Sequence, residues 1–281
     1  MKQYVIAAAL LMAAAAPASA YTTYVLPEAF DTAEGSLSLQ ASHAQQFFTP
    51  AIAVSADFDL VSPDGGPGTF GRVEVAGAAT TMQANLPQWG TYRITSGEQV
   101  GPVNTLVGVD GGWRPLAQGE TPPEGAPVTT LQTVTVSDVY VSRGRPTNEV
   151  LAHPGGTLTI RPITHPNQVL VSGGFEVQLL LNGAPFPNTA IVLYDQGDAD
   201  SDVANFVATD ADGRARFNFQ QPGTYVIAAR YRGPAPAGSP AEIRSYTTTL
   251  TFNVLTALPA YAEPPPEERP RRRREGLGMG R

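Results

Sequence analysis

The sequence has 281 residues, contains no cysteine and carries a formal net charge of −7 at pH 7. The missing thiols exclude disulfide bonds, zinc–thiolate centres, iron–sulfur clusters and thiol catalysis. Residues 21–261 hold 21 acidic side chains against 11 arginines, a net charge of −10, and such an acidic surface repels nucleic-acid phosphates.

The first 20 residues have the pattern of a secretory signal peptide. Lys2 supplies the positive start, residues 5–16 are small and apolar, and Ala18-Ser19-Ala20 matches the cleavage signal. The apolar run is shorter than the roughly 20 residues that a membrane-spanning helix needs. We therefore expect cleavage after Ala20, a periplasmic protein and no transmembrane span in the mature chain; a retained membrane anchor is the alternative.

Residues 21–150 are predicted to form an N-terminal β-sandwich, because short β-branched segments alternate with turns rich in Gly and Pro. The candidate strands are 23–26, 36–41, 51–61, 71–76, 80–86 and 91–96. Five prolines interrupt residues 97–130, which predicts an irregular insertion. A strand over residues 131–141 follows, and its pattern is compatible with either neighbouring sheet.

Residues 151–257 are predicted to form a second, immunoglobulin-like sandwich. The candidate strands are 157–163, 175–181, 191–194, 205–209, 214–219, 225–231 and 245–254. Turn signals separate them at the spacing typical of sandwiches, and no helical periodicity persists. The fold class is therefore all-β, with two immunoglobulin-like or prealbumin-like sandwiches. Residues 258–281, rich in Pro and Arg, are expected to be disordered.

The two halves share one short motif. Gly90-Thr-Tyr92 and Gly223-Thr-Tyr225 each follow a turn and open a candidate strand. In sandwiches, a tyrosine so placed ties a corner of the fold through its hydroxyl group. The repeat favours two sandwiches of related design, although chance similarity of two strand starts is the alternative.

An ordered set of segments in the C-terminal half resembles one bacterial family. The segments are Ile160-Arg-Pro-Ile-Thr-His-Pro-Asn167, Phe175-Glu-Val-Gln-Leu-Leu-Leu181, Thr209-Asp-Ala-Asp-Gly-Arg214, Pro222-Gly-Thr-Tyr225 and Ser245-Tyr-Thr-Thr-Thr-Leu250. They are similar to a domain-of-unknown-function family formerly linked to nickel uptake, and the early Tyr24-Val-Leu-Pro27 fits it too. The resemblance implies a periplasmic β-sandwich protein that accompanies nickel or cobalt importers or outer-membrane receptors. Relatives present His near the mature N-terminus, where this chain has Tyr21, Thr22 and Thr23.

The candidate metal ligands are one histidine and four aspartates. His165 occupies the Thr-His-Pro position of the resemblance, and imidazole suits nickel, copper or zinc; a hydrogen-bonding role at the domain interface is the alternative. Asp195, Asp198, Asp200 and Asp202 crowd one loop, and closely spaced carboxylates suit calcium. A solvated hairpin loop is the alternative for them. His43 and His153 are more typical of surface and linker residues.

Two further features suggest partner binding. Trp113 lies in Asp-Gly-Gly-Trp-Arg-Pro, looks exposed and is a candidate ligand residue. Arg271, Arg272, Arg273 and Arg274 match the geometry of lipid or lipopolysaccharide phosphates, or form a solvated tail.

The sequence lacks the catalytic motifs of hydrolases, zinc proteases and nucleotide-binding enzymes. This absence predicts a non-enzymatic protein, and the family resemblance implies a periplasmic accessory role in divalent metal uptake, with nickel, cobalt or calcium as the candidate ion and no certain cofactor. Its partner would be a membrane metal importer or an outer-membrane receptor. The alternative is an envelope module without a metal role, which binds a transporter, a receptor or a polysaccharide.

Overall fold

The computed structural model describes residues 22–55, 57–152 and 154–266. Within them lie twenty strands and two single-turn 3-10 helices. The strands of the N-terminal half are β1 (Thr22–Pro27), β2 (Asp31–Thr32), β3 (Ser36–Gln46), β4 (Thr49–Ala53), β5 (Asp59–Val61), β6 (Thr69–Ala76), β7 (Ala79–Asn85), β8 (Gly90–Thr95), β9 (Gln99–Val109), β10 (Gly112–Pro115) and β11 (Val128–Arg143). The C-terminal half contains η1 (Glu149–Leu151), β12 (Leu158–Pro162), η2 (Pro166–Gln168), β13 (Val169–Leu170), β14 (Phe175–Leu181), β15 (Ala184–Pro185), β16 (Ala190–Tyr194), β17 (Phe206–Ala208), β18 (Arg214–Phe217), β19 (Gly223–Pro234) and β20 (Ile243–Leu255).

Three sheets form two sandwiches that share their central layer. Sheet A has the order β1-β3-β7-β6, with β4 beside β3. Sheet B runs β10-β9-β11-β20-β19-β16-β17 and also contains β2, β5, β8 and β13, while sheet C contains β12, β14, β15 and β18. One apolar cluster lies between sheets A and B, and another lies between sheets B and C. The all-β sandwich prediction is confirmed.

Strand β11 joins the two sandwiches. Its residues 131–139 pair in parallel with residues 243–251 of β20, and its residues 140–143 pair with β8. Because side chains alternate across a strand, Val139 and Val141 enter the N-terminal core while Val134 and Tyr140 enter the C-terminal core. Strand β11 belongs to both sandwiches. The division of the chain near residue 150 into two units that fold independently stays a prediction.

A third apolar cluster packs the N-terminal strands onto the outer face of β16 and β19. Tyr24 and Phe47 meet Tyr194 there, and the rings of Phe47 and Tyr194 are 4.3 Å apart. Strand β1 is also held by polar contacts, because Ser137 and Thr249 both donate hydrogen bonds to the carbonyl oxygen of Thr23. The first described strand is therefore fixed to both halves of the molecule.

The predicted strands are present, with small shifts at their ends, and the segment 51–61 divides into β4 and β5. The region expected to be irregular contains the hairpin of β9 and β10, and residues 116–127 contain no strand. The hairpin turns at Asp110-Gly111, where both φ angles are positive, at 51° and 79°. That conformation is typical of a two-residue hairpin turn. The Asp-Gly pair in the sequence could therefore have predicted the hairpin.

Both Gly-Thr-Tyr motifs form the expected corners. The Tyr92 hydroxyl donates to the carbonyl oxygen of Gln88 over 2.9 Å, and the Tyr225 hydroxyl donates to that of Gln221 over 3.1 Å. Each hydroxyl therefore ties the start of its strand to the chain four residues upstream, which confirms the tyrosine-corner interpretation. The predicted signal peptide, the arginines 271–274 and His153 lie outside the described residues.

Candidate functional site

His165 is buried at the junction of the two sandwiches, with 6% of its surface exposed. Its Nδ1 accepts a hydrogen bond from the backbone N–H of Asn167 over 3.0 Å. Because Nδ1 is an acceptor, the proton of the neutral ring is on Nε2. Nε2 lies 3.0 Å from the carbonyl oxygen of Thr147 and 3.0 Å from the Thr91 hydroxyl oxygen. The ring thereby connects β8, the segment after β11 and the start of η2.

This environment favours the neutral imidazole. Burial lowers the pKa of His165 to about 4, although its hydrogen bond to Thr147 opposes the shift. A metal ion at either ring nitrogen would have to displace one of the hydrogen bonds just described. Metal binding by His165 stays a prediction, and it would require the junction to open.

The acidic loop between β16 and β17 uses its carboxylates within the chain. Asp198 accepts from the backbone N–H of Asp195 over 2.7 Å, and Asp202 accepts from that of Ala204 over 3.1 Å. Asp195 accepts from the N–H of Gln196 over 2.7 Å. The bond between Asp202 and Ala204 has the pattern of an Asx turn, and all three are local bonds by which aspartate shapes its own loop.

Asp200 anchors the beginning of β1. One carboxylate oxygen accepts from the backbone N–H of Thr22 over 3.2 Å, and the other pairs with Arg230 over 2.7 Å. Arg230 also donates to the Thr22 hydroxyl over 2.7 Å and to the Tyr194 hydroxyl over 3.0 Å. The residue predicted as a calcium ligand therefore links the N-terminal strand to β19.

Among residues 22–55, 57–152 and 154–266, no group of three or more His, Cys, Asp or Glu side chains is arranged to hold a metal ion. The sequence-predicted ligands are thus separated, with His165 at the junction and the four aspartates in a loop beside Thr22. Calcium binding by Asp195, Asp198, Asp200 and Asp202 stays a prediction.

Trp113 lies on the hairpin of β9 and β10 at the edge of sheet B and is 37% exposed. It pairs across the hairpin with Gly108, where a Cβ atom would lie 2.7 Å from the Cγ of Pro127. The same hairpin and the start of β11 expose further large apolar side chains, namely Val103, Val109 and Val128. The strand pairing puts these three valines on one face of the sheet edge and Trp113 on the opposite face. An exposed tryptophan at a sheet edge with exposed valines behind it is a candidate contact site for another molecule.

The loop after the hairpin is held against it by one ion pair. Arg114 donates to Glu120, with 3.0 Å between Nη1 and Oε2, and Glu120 also accepts from the backbone N–H of Ala117 over 2.9 Å. These bonds, led by the one from Arg114, lower the pKa of Glu120 to about 2. The hairpin therefore carries an ordered loop beside Trp113.

The pattern of residues did not reveal a buried ion pair between Arg93 of β8 and Asp138 of β11. Their side chains are 7% and 3% exposed, and Nη2 of Arg93 lies 2.9 Å and 3.0 Å from the two carboxylate oxygens. The sequence places both charged residues in the interior of candidate strands. Charged residues are rarely buried unless they are paired, so this placement could have predicted the ion pair. Nearby, the fully buried Tyr140 has a raised pKa because of its burial.

The family model for a domain of unknown function, DUF4198, matches residues 18–233. The chain belongs to this family. The match covers the N-terminal strands and most of the C-terminal ones, including the hairpin, the acidic loop and His165, and ends in β19 before β20. No protein in the curated comparison matches this family member.

Three solved structures show weak likeness to this DUF4198 chain. The D0-D1 domain of Intimin is 12% identical over 81% of this chain and 96% of its own, with a TM-score of 0.21. The BSP domain of a biofilm-associated protein is 13% identical over 83% and 30%, with a TM-score of 0.19. A Salmonella alpha-2-macroglobulin is 11% identical over 87% and 15%, with a TM-score of 0.21. Scores of this size support no argument about function, and the fold rests on the strand pairing above.

Among the described residues, no helix is both long enough and apolar enough to cross a membrane.

Proposed function

We propose that the protein is a non-enzymatic binding module of the cell envelope, and that it contacts a protein partner through the hairpin of β9 and β10. The observation that carries the proposal is the exposed Trp113 on the hairpin at the edge of sheet B, whose opposite face exposes Val103, Val109 and Val128. Tryptophan is enriched among residues that dominate binding energy. The periplasm is the proposed location because the first 20 residues have the pattern of a signal peptide.

The hairpin is suited to contact because it is rigid as well as apolar. Gly112–Pro115 pairs with residues 106–109, and the Asp110-Gly111 turn fixes the register. A pre-ordered surface loses less conformational entropy on binding than a mobile loop. Trp113 therefore offers a large apolar area from a fixed backbone position.

The test places a photo-crosslinking amino acid at position 113 in the native host. We expect a covalent adduct with an envelope protein after irradiation, since the side chain at this position would lie at the interface. In parallel, Trp113→Ser should weaken capture of the same partner about tenfold or more, the loss typical of a central aromatic contact. An unchanged capture by Trp113→Ser would contradict the proposal.

An accessory role in nickel or cobalt uptake is the more specific candidate, supported by the family resemblance in residues 155–255. Calorimetry of the mature chain with nickel, cobalt and calcium tests it. Binding of nickel or cobalt that is lost in His165→Ala would support it, and calcium binding that is lost in Asp200→Ala would indicate a structural ion. If none of the three ions binds, the metal role is wrong and the contact surface alone remains.

A further inference from the structure

The N-terminal sandwich is open at one end, where sheets A and B separate. Two adjoining clefts of about 440 Å³ and 350 Å³ lie there and share Val54, Ser55 and Gln99 in their walls. Cavities of 300–1,000 Å³ are typical of small-molecule sites. We call these two clefts together the inter-sheet cleft. It is separate from Trp113, which lines neither part.

The wall of the cleft on sheet A consists of residues that face the core but are left uncovered. Val73 and Val75 pair directly with Met82 and Thr80, both buried, and so point to the same side of the sheet. They are nevertheless 50% and 66% exposed. Ile52 is 46% exposed and pairs with the half-buried His43, which lies two residues after the core residue Ala41 and so on the same side of β3. Core-facing apolar side chains left in water are typical of a site that a ligand covers.

The opposite wall carries a row of polar side chains, together with Val100 and Pro102. On β11, the residues that face sheet A change from Val139 and Val141 in the core to Thr133 and Thr135 in the cleft. Ser96 and Gln99 lie beside them, and His43 contributes from sheet A with its Nδ1 3.0 Å from the Thr23 hydroxyl oxygen. The cleft therefore offers an apolar wall and a row of hydrogen-bonding groups opposite it.

The charges at the opening select against anions. Asp57 and Glu74 line the smaller part, and Arg72, which does not line the cleft, lies 2.5 Å from Glu74 and offsets its charge. Asp57 therefore supplies the charge that would repel an anionic ligand, whereas a neutral or cationic ligand would not be repelled. We propose that the inter-sheet cleft binds a small amphipathic molecule with an apolar body and a neutral or cationic polar group.

The alternative occupant of the cleft is a β-strand of another chain that pairs with an edge strand. The edge strands beside the cleft disfavour such pairing. Strands β4, β6 and β9 border the cleft, and two of them contain a proline, Pro50 in β4 and Pro102 in β9. Each of the three also has a register shift in its pairing with β3, β7 or β11, and β10 pairs with β9 only further along, at residues 106–109. Proline and bulges are the usual means by which edge strands are protected from pairing with another chain. The occupant is therefore a small molecule and not an added strand.

The experiment titrates the full mature chain with the neutral fluorescent probe N-phenyl-1-naphthylamine. We expect saturable binding, weakened about tenfold or more in Ile52→Asp and in Val73→Asp, because each places a carboxylate in the apolar wall. Val203→Asp is the matched control, since Val203 is 51% exposed and lines neither part of the cleft. Trp113→Ser should also bind the probe normally, which separates this site from the hairpin.

Competition then tests the charge preference. Dodecyltrimethylammonium should displace the probe at lower concentration than dodecanoate does, because the two ligands share an apolar chain and differ in the sign of their charge. Absence of probe binding, or equal binding by the wild type and both cleft variants, would overturn the site. Stronger displacement by dodecanoate would overturn the proposed ligand class.

Discussion

The free energy of unfolding is expected to fall by about 1.4 kcal/mol for each pH unit between pH 6.5 and pH 4, through His165 alone. The pKa of His165 is lowered to about 4 by burial, whereas the unfolded chain titrates near 6.5. Within this window the unfolded state binds more protons, so acid favours unfolding. The total loss is about 3 kcal/mol, and denaturant unfolding at several pH values measures it.

The variant His165→Gln isolates this effect from the carboxylates that titrate in the same range. Glutamine removes the titrating group, so the variant should be less stable at neutral pH but should lack this component of the slope. His43→Gln is the control, because it removes a histidine from the inter-sheet cleft and leaves the junction intact. Identical pH slopes for the wild type and His165→Gln would show that His165 does not stay neutral in the folded protein.

The second large effect is expected at the buried ion pair, where Asp138→Ala should cost about 3–5 kcal/mol of stability. The substitution leaves the Arg93 guanidinium buried without the carboxylate that approaches it to 2.9 Å and 3.0 Å. Burial is the largest single influence and lowers the pKa of Arg93, but attraction to Asp138, Tyr140 and Asp59 and the hydrogen bond to Asp138 together make the net shift upward. Thermal and denaturant unfolding of the single variant measure the cost.

The double variant Arg93→Met with Asp138→Leu distinguishes a buried charge from a lost contact. Removing both charges avoids leaving one of them unpaired, and buried pairs are often replaced by apolar residues at little cost. The double variant should therefore be more stable than Asp138→Ala. If it is equally unstable or less stable, the packing around β8 and β11 and not the charge is responsible.

The strand pattern was predictable from the sequence because each strand presents one side to a core. The apolar alternation in Phe175–Leu181 and the Gly-Thr-Tyr motifs depend only on neighbouring residues. The strand and the tyrosine corners could therefore be predicted from the sequence. The long strand β11 was harder to place, because its apolar alternation shifts by one residue at Ser137 and Asp138. In the structure the side chains still alternate in direction, with Ser137 facing β1 and Asp138 facing Arg93, and the apolar residues change from the C-terminal core to the N-terminal one.

The hairpin of β9 and β10 was missed because its prolines suggested irregular chain. Pro102 and Pro115 are tolerated there since the hairpin lies at the edge of sheet B. The site residues were less predictable than the strands, because their partners are distant in sequence. Asp200 is separated from Thr22 by 178 positions, and His165 from Thr91 by 74, so local spacing carried no information about these contacts.

The most direct test of the binding-module proposal compares photo-crosslinking from position 113 with that from position 206 in living cells. Both positions hold exposed aromatic residues, Trp113 at 37% and Phe206 at 54%, but only the first lies on the proposed surface. A discrete adduct with one envelope protein from position 113, with none from position 206, is the predicted result. Equal crosslinking from both positions, or none from position 113, would contradict the assignment of the hairpin as the contact surface.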